Sequence, residues 1–146
     1  MSDERCPMSN VLIEAGPYSF LARFEATAAP KTVAKFRAMM PYQEKIIHVR
    51  WSGEACWIPL GDLDVGLGYE NPTSYPAPGQ ILLHPGGVSE TEILLPYGSC
   101  QFASKVGVLA GNHFLTVVDN LENLPALGKL VLWSGAQAIR FSAVEK

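Results

Sequence analysis

The stretch IIHVRWSGEACWIPL, residues 46–60, decides the fold that this sequence predicts. Before Gly53 and Glu54, a pair typical of a tight hairpin turn, Ile47, Val49 and Trp51 alternate with His48, Arg50 and Ser52. A turn at Gly53 and Glu54 joins two strands, and the first of them has one apolar and one polar face. The predicted cross-strand pairs are Val49 with Ile58, Trp51 with Cys56, and Arg50 with Trp57. The last pair places a guanidinium beside an indole, and such a cation–π interaction contributes about 0.5–2 kcal/mol of stabilisation.

Short strands dominate the rest of the chain. Strands are expected at residues 11–13, 18–25, 80–84, 91–95, 113–118 and 137–144, with the last pairing back to the first. Helices are expected at 29–41, which Pro30 begins and Pro41 ends, and at 121–133. Residues 61–79 are rich in glycine and proline and predict a long, ordered loop. This pattern predicts a mainly β fold, a closed β-barrel with two short helices capping its ends.

Composition sets the class of protein. The chain has 146 residues, 48% hydrophobic and 17% charged, which predicts a single domain over 1–146, with 1–9 as a flexible N-terminus. A net charge of −3 without a basic run argues against nucleic acid or an anionic membrane as a partner. Cys6, Cys56 and Cys100 are widely spaced and favour reduced thiols in the cytoplasm. Residues 1–10, MSDERCPMSN, lack the apolar core of a signal peptide and no run is long enough to span a bilayer, so neither segment is expected.

Arg50 beside Trp57 is the first candidate site. A planar guanidinium binds carboxylates and phosphates through two parallel hydrogen bonds, so this pair predicts a cleft for an anionic group. The cleft would also include the strand at residues 89–92. The alternative is a structural ion pair between Arg50 and a glutamate, with no role in binding.

Histidines and glutamates supply the remaining candidates. His48, His84 and His113 lack HxH or HxxxH spacing, so neither a metal nor another cofactor is expected. A histidine near Glu92 is suited to acid–base chemistry, because imidazole titrates near neutral pH. The alternative for each histidine is a partly buried side chain with satisfied hydrogen bonds. The predicted ligand-binding residues are Arg50, Trp57, Glu92, His84, His113 and Tyr97.

One helix resembles a known family. Residues 29–38, APKTVAKFRA, resemble the first-helix motif APKTVENFRAL of cyclophilins, and Pro78-Gly79-Gln80 resembles the start of a later cyclophilin strand. The resemblance implies a cyclophilin-like barrel with Arg50 in the place of the catalytic arginine. The family's glutamine-bearing loop and active-site histidine have no counterpart, so prolyl isomerase activity is expected to be absent or trivial.

Longer segments resemble a second group. Residues 24–118 resemble an uncharacterised family of bacterial cyclophilin-like proteins, which implies a bacterial source and the fold but no activity. The matching segments are RWSGEACWIPL, YENPTSYPAPG, PGGVSETEI and ASKVGVLAGNHFLT.

The function expected from these observations is binding of a small polar or anionic molecule in a cleft beside the barrel. Whether the protein is an enzyme stays open, as does association with copies of itself. Two alternatives remain, a peptidyl-prolyl isomerase and a non-catalytic structural or assembly module. A fold alone does not decide among them.

Overall fold

The computed structural model describes residues 10–144, and the segment predicted to be flexible, residues 1–9, lies outside them. The described chain opens with a hairpin of β1 (Asn10–Ala15) and β2 (Tyr18–Phe24), as the sequence predicts. Gly16 in the connecting turn has φ of 56°, a left-handed conformation that glycine adopts without strain. No helix within residues 10–144 is long and apolar enough to cross a membrane.

Both predicted helices form. Helix α1 (Pro30–Met39) begins with proline in its first turn and buries Val33 and Phe36. Helix α2 (Leu124–Ser134) follows a short 3-10 turn at Leu121–Asn123. Each helix buries one apolar face against the sheet, which is the usual role of a short amphipathic helix in a β protein.

Eight antiparallel strands close into a barrel, which confirms the predicted mainly β fold with two short helices. The strands after α1 are β3 (Tyr42–His48), β4 (Gly53–Gly61), β5 (Pro72–Thr73), β6 (Gln80–His84), β7 (Thr91–Cys100), β8 (Ala103–Ser104), β9 (Gly107–Val108), β10 (Gly111–Val117) and β11 (Gln137–Ala143). The order of the barrel strands is β2-β1-β11-β3-β4-β7-β6-β10, and β10 pairs with β2 to close the sheet. The last strand pairs with the first, as predicted.

Two separate clusters of buried residues lie on the two faces of this sheet. Every barrel strand contributes buried residues to one large cluster, which fills the interior and also receives side chains of α1 and α2. A smaller set lies on the opposite face of β4, β6 and β7, and we call it the outer cluster. Its members are Val49, Ala55, Trp57, Leu82, Leu94, Phe102 and Leu109. Phe102 and Leu109 flank the β8–β9 hairpin, so this segment covers the outer face of the barrel.

Strand β7 is longer than the sequence predicts. The expected end at Leu95 is wrong, because β7 continues through Pro96 to Cys100. Pro96 lies opposite Ala55, and its carbonyl accepts a hydrogen bond from the Gly79 N–H at 3.0 Å. Residues 91–96 are all buried, so Glu92 lies inside the protein.

Candidate functional site

A cavity of about 460 Å³ lies on the outer face of the barrel, beside Trp57 of the outer cluster. Its walls come from the turn before β4, from β4 itself, from the β6–β7 loop with the start of β7, and from the β8–β9 hairpin. Pockets of roughly 300–1,000 Å³ hold small organic ligands. The lining residues are Trp51, Trp57, Ser89, Glu90, Glu92, Ser104 and Lys105.

Two indole rings form the apolar wall of the cavity. The ring centroids of Trp51 and Trp57 are 5.5 Å apart and the ring planes meet at 82°, an edge-to-face contact. Trp57 is buried, whereas Trp51 is 57% exposed, so the wall reaches from the core to solvent. The Nε1 atom of Trp57 is buried and has no acceptor among residues 10–144. The wall therefore combines flat apolar surface with one unsatisfied hydrogen-bond donor.

The predicted pairing of Arg50 with Trp57 is wrong. Strands β3 and β4 pair Ile47 with Trp57, because the chain turns at Arg50–Ser52 and not at Gly53 and Glu54. Arg50 is exposed in that turn, and Trp51 is the residue that stands beside Trp57. The other two predicted pairs, Val49 with Ile58 and Trp51 with Cys56, are wrong for the same reason.

Hydrogen bonds of Ser52 explain why the chain turns at Arg50–Ser52 and not at Gly53 and Glu54. The Ser52 Oγ donates to the Ala103 carbonyl at 3.1 Å and accepts from the Ala103 N–H at 3.0 Å. The Ser52 carbonyl also accepts from the N–H of Gln101 at 2.9 Å. These bonds fasten the turn to the segment between β7 and β8, and so hold Trp51 and the β8–β9 hairpin on the same cavity.

Glu92 is the most unusual polar group in the cavity. Its side chain projects from β7 and is 1% exposed. Burial raises the pKa of Glu92 to about 8, and the nearby charge of Glu90 adds to the effect. The Oε1 atom has no hydrogen-bond partner in the described part of the chain. A buried, unsatisfied carboxyl costs free energy, so its presence at a cavity calls for a partner from outside the protein.

His84 is the cross-strand neighbour of Glu92. The two residues lie directly opposite each other on β6 and β7, so their side chains project from the same face of the sheet. His84 is fully buried, and its Nδ1 lies 2.8 Å from the carbonyl oxygen of Ala110. Nδ1 donates to that carbonyl, because a carbonyl oxygen is an acceptor, and Nε2 has no hydrogen-bond partner within residues 10–144.

Tyr97 lies on the other face of the sheet. Its hydroxyl is 2.7 Å from Nε2 of His48, and both side chains belong to the barrel interior near α2. Burial lowers the pKa of His48, and the positive charge of Arg50 lowers it further. The structure therefore brings Arg50, His48 and Tyr97 together, away from the residues that line the cavity.

His113 belongs to a third location, where β10 closes on β2. Its Nε2 lies 2.7 Å from Oγ1 of Thr116, which in turn donates to the carboxylate of Glu25. Nε2 of His113 is 4.0 Å from that carboxylate, and Arg23 binds it from the other side at 3.0 Å. The arrangement ties the two closing strands together.

Metal ligation has no support in the donor set. Among the described residues no three His, Cys, Asp or Glu side chains converge to hold an ion. Burial raises the pKa of Cys56 to about 12 and that of Cys100 to about 11, so both thiols stay protonated at neutral pH.

Two predicted ligand-binding residues, Trp57 and Glu92, line the cavity together, and His84 adjoins them from β6. Arg50, Tyr97 and His113 lie elsewhere. Sequence reasoning missed Trp51, Ser104 and Lys105, which reach the cavity through the turn and the β8–β9 hairpin. No local pattern marks these positions, because a long-range contact, Ser52 with Ala103, brings their segments together.

The fold is similar to that of a solved structure described as McbB in complex with tryptophan. The superposition has a TM-score of 0.68 at 14% sequence identity, and it covers 91% of this chain and 44% of the McbB chain. This chain therefore spans less than half the length of McbB, and at this identity the likeness shows a shared fold alone. It does not confirm the expected cyclophilin-like fold.

Among curated proteins, none matches the sequence. One family profile does match, and it spans residues 11–143, nearly the whole described barrel. The chain therefore belongs to the family described as Protein of unknown function (DUF3830).

Proposed function

We propose that the cavity beside Trp57 binds a small molecule with a flat apolar body and polar groups at its edge. The observation that carries this proposal is a pair of buried polar atoms at one cavity, Nε1 of Trp57 and Oε1 of Glu92, each without a partner in the described chain. Each such atom costs about 1–3 kcal/mol when it stays unsatisfied. A ligand that supplies both hydrogen bonds recovers that free energy, so the site favours occupancy.

The shape of the cavity fits the same kind of ligand. The edge-to-face indoles of Trp51 and Trp57 offer a flat surface on which an aromatic or planar body packs. Lys105 and the Ser104 hydroxyl lie on the opposite hairpin and supply polar contacts at the rim. Any anionic group of the ligand would meet Lys105 here, because Lys105 lines the cavity and Arg50 does not.

The McbB complex guides the choice of first probes. McbB is described with bound tryptophan, and its fold is similar to this one. Free tryptophan and related aromatic compounds are therefore reasonable members of a screening panel. The panel also includes phenylalanine, aromatic acids, aromatic amines and nucleobases, which vary the charge around a flat body.

Thermal shift followed by calorimetry tests the proposal. A ligand that binds the folded state raises the melting temperature by mass action. Trp57→Phe keeps an aromatic ring but removes the Nε1 donor, and we expect it to weaken binding about fivefold to tenfold. Trp133→Phe is the matched control, because Trp133 is 78% exposed on α2 and does not line the cavity. The proposal is wrong if no panel member shifts the melting temperature, or if Trp57→Phe binds as tightly as the control.

A further inference from the structure

Resting on the binding function proposed above, we infer that the ligand carries an ammonium group, which binds at Glu92. The class is an aromatic amine or an aromatic α-amino acid. Glu92 has an unsatisfied buried oxygen on the cavity wall, and the charges and aromatic faces around it favour a cation.

Two adjacent side chains on β6 and β7 have a buried polar atom without a partner in the described part of the chain, Oε1 of Glu92 and Nε2 of His84. Only Glu92 lines the cavity, and His84 lies directly opposite it in the sheet. When Glu92 is ionised, both of its oxygens are acceptors, so a ligand group in the cavity that meets Glu92 must supply donors. An ammonium group has three N–H donors and no acceptor, which matches two adjacent acceptors better than a hydroxyl or a carboxylate does.

The charges at this end of the cavity favour a cation. Glu90 adds a second carboxylate to the lining, next to Glu92 in sequence. The faces of Trp51 and Trp57 attract cations through the ring quadrupole. The other charged groups that line the cavity are Glu90 before β7 and Lys105 on the β8–β9 hairpin, and the titratable His84 lies opposite Glu92 on β6. Lys105 is the one positive charge among them.

The other end of the cavity distinguishes an amine from an amino acid. Nε1 of Trp57 is a buried donor without an acceptor, and Lys105 and Ser104 offer further donors on the facing hairpin. A carboxylate satisfies donors of this kind. An amino acid therefore fills both ends of the cavity, whereas a simple amine fills only the end at Glu92.

Binding of an ammonium group is coupled to ionisation of Glu92. Because burial raises the pKa of Glu92 to about 8, the free protein holds this carboxyl about nine-tenths protonated at pH 7. A bound ammonium favours the carboxylate, so Glu92 loses its proton to solvent as the ligand binds. The ligand keeps its own charge, and one proton leaves the protein for each ligand bound. Affinity for an ammonium ligand therefore rises from pH 6 to pH 8.

Four indole compounds with different charges distinguish an ammonium ligand from an anionic or a neutral one. Tryptamine carries only the ammonium, tryptophan carries an ammonium and a carboxylate, indole-3-propionate carries only the carboxylate, and 3-(2-hydroxyethyl)indole is neutral. Calorimetry at pH 7 in two buffers with different ionisation enthalpies measures affinity and proton release together. We expect tryptamine and tryptophan to bind at least about tenfold more tightly than the other two compounds, with release of close to one proton. Tighter binding of tryptophan than of tryptamine identifies the amino acid as the class.

Glu92→Gln is the decisive variant. Glutamine has the size of glutamate but no proton to release, so we expect proton release on binding to disappear. Without the carboxylate, the ammonium compounds should lose at least about tenfold in affinity. The neutral indole should bind the variant as it binds the original protein, which shows that the fold is intact. Glu122→Gln, at an exposed position, serves as the control. If the neutral indole or indole-3-propionate binds as tightly as tryptamine, without proton release, the ammonium inference is wrong and the binding function stands. If none of the four binds, the ammonium inference is wrong for indole ligands, and the thermal-shift panel alone decides the binding function.

Discussion

The ring of Tyr97 packs directly against Gly128 of α2. A Cβ atom at Gly128 would overlap the Tyr97 ring more closely than any real contact allows. The ring is therefore held flat against the helix backbone, with its hydroxyl on His48. This contact explains a glycine in the middle of a helix, where alanine is normally more stable by about 1 kcal/mol.

We expect Gly128→Ala to destabilise the protein by about 1–3 kcal/mol, because the new methyl group displaces Tyr97. Urea unfolding measures the change. Lys129→Ala, at the next and exposed position of α2, should stay within about 0.5 kcal/mol of the original protein. In a Tyr97→Ala background the same Gly128→Ala change should be neutral or stabilising. A full loss of stability in that background would mean that the helix itself rejects alanine.

The pKa of Glu92 predicts how stability depends on pH. The folded pKa is about 8, above the ordinary glutamate pKa of 4.5, so between these values the folded state holds a proton that the unfolded state has lost. Stability therefore falls as pH rises between these two values. Glu92→Gln removes this dependence, and we expect the variant to gain on the order of 3 kcal/mol relative to the original protein between pH 5 and pH 8. Urea unfolding at both pH values, with Glu122→Gln as control, checks this. Parallel pH profiles for all three proteins would contradict it.

Glu70 caps α1 from a distant loop. Ala29 before the helix has no side chain to cap it, and the Glu70 carboxylate instead accepts from the N–H groups of Lys31 at 3.1 Å and Thr32 at 2.8 Å. Glu70→Ala should destabilise the protein by about 1–2 kcal/mol, the usual loss for a missing cap. Asp62→Ala, an exposed change in the same loop, should leave stability unchanged.

The pH dependence of this cap has the opposite sign to that of Glu92. Burial works to raise the pKa of Glu70, but hydrogen bonds from Thr32 and Lys31 outweigh it and leave the pKa lowered. The stabilisation is therefore present above the unfolded pKa near 4.5 and is lost as pH falls below it. Unfolding measurements at pH 7 and pH 3.5 should show a smaller difference between Glu70→Ala and the original protein at the lower pH.

Local patterns in the sequence predicted the closed barrel, the first hairpin and both helices. Pro30 begins α1 through its fixed φ, and Val33 and Phe36 recur at helical spacing, so these signals lie within a few residues of each other. The predicted end of β7 at Leu95 was wrong because proline usually ends a strand. Pro96 instead stays in the sheet, and its carbonyl accepts a hydrogen bond from the Gly79 N–H.

The site was predictable only in part. Trp57 and Glu92 lie on one face of the sheet, which alternation indicates for each strand separately. Alternation does not reveal what covers that face, which the segment from Phe102 to Leu109 buries. The register of β3 with β4 was wrong because it depends on the bonds between Ser52 and Ala103, which are far apart in sequence.

Arg50 lowers the pKa of His48, and an NMR titration measures this effect directly. Burial lowers the pKa of His48, and the charge of Arg50 contributes a second, smaller decrease. Arg50→Gln removes only the second cause, so we expect the pKa of His48 to rise while staying below its ordinary value. The imidazole C–H resonances of His48, His84 and His113, followed from pH 4.5 to pH 8.5, report the change at one ring. Arg140→Gln, an exposed change on β11, should leave the His48 curve in place. An unmoved His48 titration in Arg50→Gln would show that the guanidinium extends away from the Tyr97–His48 pair, and that Arg50 has no electrostatic role at that end of the barrel.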